Sequence, residues 1–119
     1  MSEQLALAID PMRTALVFVR AKPDLFRKDF EEYLERNWHV WEAFEQEANK
    51  VWARGRTHYS HRTIFEHLRH ETAMREQENQ HGWKLNDWYV KDLARLYVMH
   101  YPDRNMFEFR NGQSAVRAA

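Results

Sequence analysis

Cysteine is absent from this 119-residue chain, and glycine and proline occur only three times each. Without thiols there is no disulfide scaffold and no thiolate metal site, which fits a reducing cytoplasm. So few turn formers leave little room for a turn-rich all-β fold. No apolar run approaches the ~20 residues that a membrane helix needs. The first residues lack the basic-then-apolar pattern of a signal peptide, so they read as the mature start, and no membrane partner is expected. Net charge is missing too. Eighteen basic and eighteen acidic residues cancel, whereas a dedicated nucleic-acid binder usually carries a basic excess.

What remains is enough for one domain with a single core. Five Trp, five Tyr and seven Phe supply bulky core material, and large aromatics also anchor interfaces. Thirteen of the eighteen cations are Arg, which favours planar, bidentate contacts over diffuse attraction. The charges are unevenly placed. Residues 29–47 hold seven acids against one Arg, while residues 50–70 hold five Lys or Arg, four His and one acid. The neutral total therefore conceals an acidic element followed by a basic one.

Periodicity predicts a mainly α, compact domain of about four helices over residues 24–110, with room for one or two short strands. Residues 1–23 read as an N-terminal arm or extra element. Within them, residues 14–20 are β-branched and apolar enough for a strand, yet fit equally a helix opened by Asp10 and Pro11. Asp24 looks like an N-cap ahead of Leu25, Phe26, Phe30, Tyr33 and Leu34 at helical spacing. Asn37 breaks or reseats the chain and is a candidate cap for the next helix. Trp38, Trp41, Phe44, Ala48, Val51 and Trp52 then form one broad apolar stripe, best read as core. After Met74 a polar run reads as a loop, and residues 83–85 as a short extended piece. Asn86 or Asp87 then caps a last helix that buries Tyr89, Leu93, Leu96 and Tyr97, and Pro102 ends it. Met106, Phe107 and Phe109 alternate in a segment that can return to the core. Residues 111–119 are small and polar and read as a flexible tail.

Residues 55–70 carry the clearest functional pattern. Gly55 suits a helix C′ position after Arg54, and Ser60 suits the N-cap of a short helix. At 100° per residue, Ile64, Phe65, Leu68 and Thr72 cluster on one side. Arg62, Thr63, Glu66, Arg69 and His70 face the other. A stop, a cap and a helix with a directed basic face are how a helix-turn-helix or winged-helix-like core presents a recognition helix. Arg62, Thr63, Arg69 and His70 would then contact DNA, with Arg54, Arg56 and His58 holding phosphates from the turn. Glu66 sits in the middle of that face. An ordinary solvated helix surface, with Arg62 paired to Glu66 at i,i+4, accounts for the same residues. The turn is also irregular, because Ile64 follows Gly55 by nine positions and a regular motif needs about six.

From about Lys28 to Arg110 the chain resembles a family of small uncharacterised proteins encoded by bacteriophages and prophages. The resemblance rests on Trp41 and Phe44, then Gly55, Tyr59, Ser60, Ile64, Phe65, Glu66, Leu68 and Arg69. Lys84, Leu85, Asn86, Ala94, Arg95, Leu96, Pro102, Phe107, Glu108, Phe109 and Arg110 complete it. His70 stands where that family often has Trp, and Asp87 where it has a second Asn. The resemblance implies a helical fold, phage origin and a bacterial cytoplasm as the setting. It implies no activity.

Catalytic chemistry finds no support in the sequence. Ser60 is better explained as a cap than as a nucleophile. The seven His include no His-Glu-x-x-His spacing, and His67 falls toward the stripe edge while His70 points outward, so no metal and no cofactor is expected. Two binding functions remain. One is double-stranded DNA through the face just described. The other is a host protein, held by an acidic face of Glu31, Glu32, Glu35, Glu42 and Glu45 that imitates nucleic-acid charge. A homodimer through Trp38 or residues 15–20 suits either.

Overall fold

The structure is a computed structural model, and its described residues are 10–71 and 86–109. The described residues form five α-helices: α1 (Pro11–Ala21), α2 (Phe30–Arg36), α3 (Trp38–Ala53), α4 (His61–His70) and α5 (Val90–His100). Two single 3₁₀ turns, Pro23–Leu25 and Asp87–Tyr89, precede α2 and α5. The fold class is thus mainly α as expected, with five helices in place of about four and no strand among the described residues.

The extra helix is α1. Residues 14–20 adopt the helical alternative because Asp10 accepts the Arg13 N–H and Pro11 occupies the first turn, where its missing donor costs nothing. Ala15 and Val19 are buried, and α1 packs on α5 and α2. A β-branched run is therefore overruled by a good helix start and a helical surface to dock on.

Asp24 does not cap α2. It lies inside the first 3₁₀ turn, and α2 opens six residues later, at Phe30, without a side-chain cap. Asn37 does reseat the chain: its Nδ2 donates to the Tyr33 carbonyl at 3.0 Å, closing α2 directly before α3 begins.

The centre of the domain is the triangle of α3, α4 and α5, each packed on the other two. Trp41, Phe44, Ile64, Phe65, Leu93, Leu96 and Tyr97 fill it, each fully buried large side chain contributing about 1.5–3 kcal/mol. Trp38 and Trp52, at the rims of the predicted stripe, are only half-buried, while Val40, outside it, is fully buried. The buried arc of α3 is wider than one stripe because α2, α4 and α5 all pack on it. Tyr97 adds a polar anchor, donating to Asn49 Oδ1 at 2.8 Å while Arg104 donates to the tyrosine oxygen at 2.9 Å.

Beyond α5 the chain returns as expected. Met106, Phe107 and Phe109 are buried, and the Tyr59 N–H donates to the Met106 carbonyl at 2.8 Å. That single backbone bond ties the returning segment to the connection between α3 and α4. The loop and extended piece expected between Met74 and Leu85, like the tail after 110, lie outside the described residues. No helix among those residues is long and apolar enough to cross a membrane.

Candidate nucleic-acid interface

Residues 54–60 and helix α4 form the site that the sequence singled out, and the local signals work as read. Arg54 and Gly55 close α3 through bonds to the carbonyls of Lys50, Val51 and Trp52. Gly55 sits at φ +81°, a left-handed conformation that costs other residues about 1–2 kcal/mol. Ser60 Oγ then accepts the N–H groups of Arg62 and Thr63 at 3.2 and 3.4 Å. Such a cap stabilises a helix start by about 1 kcal/mol.

Helix α4 buries Ile64, Phe65 and Leu68 against α3 and α5. Arg62, Thr63, Glu66, His67 and His70 are exposed on its outer side, and Arg54, Arg56, Thr57 and His58 are exposed in the connection. Arg69 differs from the expectation. It is half-buried, with its guanidinium 5.6 Å from the Phe65 ring centroid, so its stem covers the edge of the core. His58 is also engaged, its Nδ1 standing 3.0 Å from Glu108 of the returning segment.

The cations differ in what they face. Arg54, Arg56 and Arg62 make no ion pair among the described residues, and the i,i+4 pair of Arg62 with Glu66 is not formed. The acidic face behaves otherwise. Glu31 takes a two-point contact from Arg20, at 2.8 and 3.1 Å, and Glu32 pairs with Arg36 at 3.5 Å. Glu42 faces His39 at 3.5 Å, and Glu45 accepts the Tyr101 hydroxyl at 2.8 Å. Its hydrogen bond to Arg20 holds the Glu31 carboxyl below its ordinary pKa. Glu35 is exposed and lies within the field of Arg20.

His67 meets carboxylates rather than His70. Its Nε2 is 3.2 Å from Glu71 and 3.7 Å from Glu47. These three are the described group with donor atoms close enough for a metal ion, all within 4.8 Å of one another. Lys50 also stands 3.7 Å from Glu47, so that carboxylate already has a cation of the fold beside it.

Sequence reading missed a second cleft beside Arg62. It has a volume of about 690 Å³ and lies between the start of α4, the second 3₁₀ turn and the start of α5. Arg27 and Lys91 line it together with Arg62. His61, at its wall, is half-buried and stacked on Phe109 with ring centroids 5.7 Å apart. Burial, then the charges of Arg62, Lys91 and Arg95, pull its pKa down to about 4, so it is neutral at pH 7. Close by, Asp92 is buried and its Oδ2 accepts no hydrogen bond. Its nearest cation is Arg27 at 3.8 Å, and burial pushes its pKa up to about 6. A signal for this cleft did exist in the Trp88-Tyr89 pair opening the last helix, where only Tyr89 is needed by the core. The chain matches no family model, no curated protein and no solved structure.

Proposed function

We propose that the chain is a small phage-encoded protein that binds double-stranded DNA, working in the cytoplasm of a bacterial host. Helix α4 is the helix-turn-helix-like recognition element. The observation that supports this best is the set of exposed arginines, Arg54, Arg56 and Arg62, which have no carboxylate partner among the described residues at the α3–α4 connection and the start of α4. An arginine not committed within the fold keeps its fork free for a phosphate or a guanine edge. The α3–α4–α5 triangle supplies the rest, holding α4 by its apolar face and leaving Arg62, Thr63, Glu66 and His70 outward. With a connection of residues 54–60, this is a long-turn relative of the regular motif, whose turn is about three or four residues.

The test is a mobility shift with short duplex DNA at low and moderate salt, using the wild-type protein beside Arg54→Ala/Arg56→Ala/Arg62→Ala. A shift in the wild type that the triple variant loses supports the reading. Removing three phosphate contacts should flatten the slope of log K against log salt by about 2.7. No shift at micromolar protein overturns the reading.

The host-protein alternative has one observation in its favour. An open groove of about 910 Å³ runs past Glu31, Glu32 and Glu35 to the exposed Trp88. Four of the five carboxylates assigned to that face already hold intramolecular partners. Any partner would have to compete with these, so DNA is the preferred reading.

A further inference from the structure

We propose that the cleft beside the start of α4 binds an unpaired nucleotide, with the base stacked on Trp88 and the phosphate held by Arg62 and Lys91. The site extends the DNA-binding reading through Arg62 but otherwise rests on separate residues.

Three observations carry it. First, the cleft is large enough and cationic. Its volume of about 690 Å³ falls in the range of small-ligand sites, about 300–1,000 Å³. Three cations and a single carboxylate line it, and that carboxylate, Glu108, is already turned to His58 at 3.0 Å. Arg62 and Lys91 have no ion-pair partner among the described residues. The depressed pKa of His61, caused by burial and then by Arg62, Lys91 and Arg95, shows that this positive field reaches the cleft wall.

Second, Trp88 is 58% exposed, one of two large hydrophobic residues so placed among the described residues, and the other, Val17, is on α1. An indole left in water beside cations is unusual for a side chain that only packs.

Third, that indole is held in place. The Trp88 backbone N–H donates to Asn86 Oδ1 at 3.0 Å, and the Trp88 carbonyl accepts a hydrogen bond from Arg27 Nε at 2.9 Å. The Arg27 guanidinium lies over the ring at 3.8 Å from the centroid, which fixes one face and orders the aromatic before any ligand arrives. A pre-ordered ring loses little entropy when a base stacks on it.

The combination selects the ligand class. A bare anion has no use for the indole, and an apolar ligand has none for the cations. A nucleotide uses both. It can come as a free mononucleotide or as part of a single strand, and the two share the same contacts.

The experiment is fluorescence anisotropy of labelled dT10 titrated with the full chain at 50 mM salt, with dTMP as an unlabelled competitor and a labelled duplex in parallel. Variants are Trp88→Leu, Lys91→Gln and, outside the cleft on α1, the exposed Arg13→Ala, each checked for an unchanged thermal midpoint. Trp88→Leu should weaken dT10 binding about tenfold or more. Lys91→Gln should lower the salt slope by about 0.7, and Arg13→Ala should leave dT10 affinity unaltered. Competition by dTMP identifies a mononucleotide site, and its failure beside tight dT10 binding identifies a strand site. No dT10 or dTMP binding at 100 μM protein (about the limit for a useful site), or binding that Trp88→Leu leaves intact, overturns the proposal. Duplex binding without dT10 binding removes the cleft and leaves the α4 reading standing. Binding of dT10 without duplex binding does the reverse.

Discussion

The acidic surface of α2 and α3 and the basic surface of the α3–α4 connection use their charges in opposite ways. On the first, Arg20, Arg36, His39 and Tyr101 each come back to a glutamate. On the second, Arg54, Arg56 and Arg62 have no counter-charge among the described residues. Exposed ion pairs contribute little to stability, so the pairing of the acidic face is not what holds the domain together. Its effect is to lower the local potential. The basic face, left uncompensated, projects a positive field into solvent even though the whole chain is neutral. A zero net charge therefore says less about partners than the distribution of pairing does.

Both faces stand on one core, and the largest effect comes from breaking it. Phe44→Ala empties a fully buried site on α3 and should cost about 3–5 kcal/mol in urea unfolding. It should take duplex binding down with it at 37 °C, whereas no change of stability would mean that α3 does not organise both faces.

Next in size is charge reversal on the unpaired face alone. Arg54→Glu/Arg56→Glu/Arg62→Glu should reduce duplex affinity more than about 100-fold, or 2.7 kcal/mol. The urea midpoint should hardly move, because exposed changes stay within about 0.5 kcal/mol each. Equal losses of binding and stability would instead mark these arginines as structural.

Asp92 provides a buried charge to set against the exposed ones. Its carboxyl has a pKa near 6 in the folded protein against 3.8 unfolded. The folded state therefore favours the neutral form, and that contribution is complete below pH 3.8 and lost as pH rises through 6. Asp92→Asn should stabilise the protein by about 1–2 kcal/mol at pH 8 and by nothing at pH 4. His61 runs the other way. Its pKa near 4, against 6.5 unfolded, makes stability fall as pH drops through that window. In the Asp92→Asn variant this acid sensitivity should emerge without its opposing partner, as a steeper fall in thermal midpoint between pH 6.5 and 4.

The smallest effect belongs to the paired acids. Glu31→Gln/Glu32→Gln should leave duplex affinity and the thermal midpoint unchanged at 150 mM salt, since such pairs are screened and exposed. A clear gain in DNA affinity would show that the acidic face repels the ligand at a distance.

Much of the architecture was legible because it follows from local chemistry. Gly55 and Ser60 act over one to three residues, so their roles as stop and cap are visible in the sequence and recur in the fold. The core faces of α3, α4 and α5 follow from the spacing of Trp41, Phe44, Ile64, Leu68, Leu93 and Tyr97. Asp24 misled because a good capping residue needs a helix behind it, and Pro23–Leu25 closes as a 3₁₀ turn instead. Residues 14–20 stayed ambiguous because what decides them is the surface of α5 and α2 on which α1 lies.

By itself, then, the sequence determined an α-helical domain, the capped start of α4 and the outward direction of Arg62 and His70, all effects that act within one or two turns of chain. Tertiary structure decided which groups meet those charges across the fold. Arg20 and Glu31 are eleven positions apart, Glu45 and Tyr101 fifty-six. It also brought Arg27, Arg62, Trp88 and Lys91 to one cleft from distant parts of the chain. Electrostatic and stacking contacts depend on distances through space, and only the packed helices set those distances.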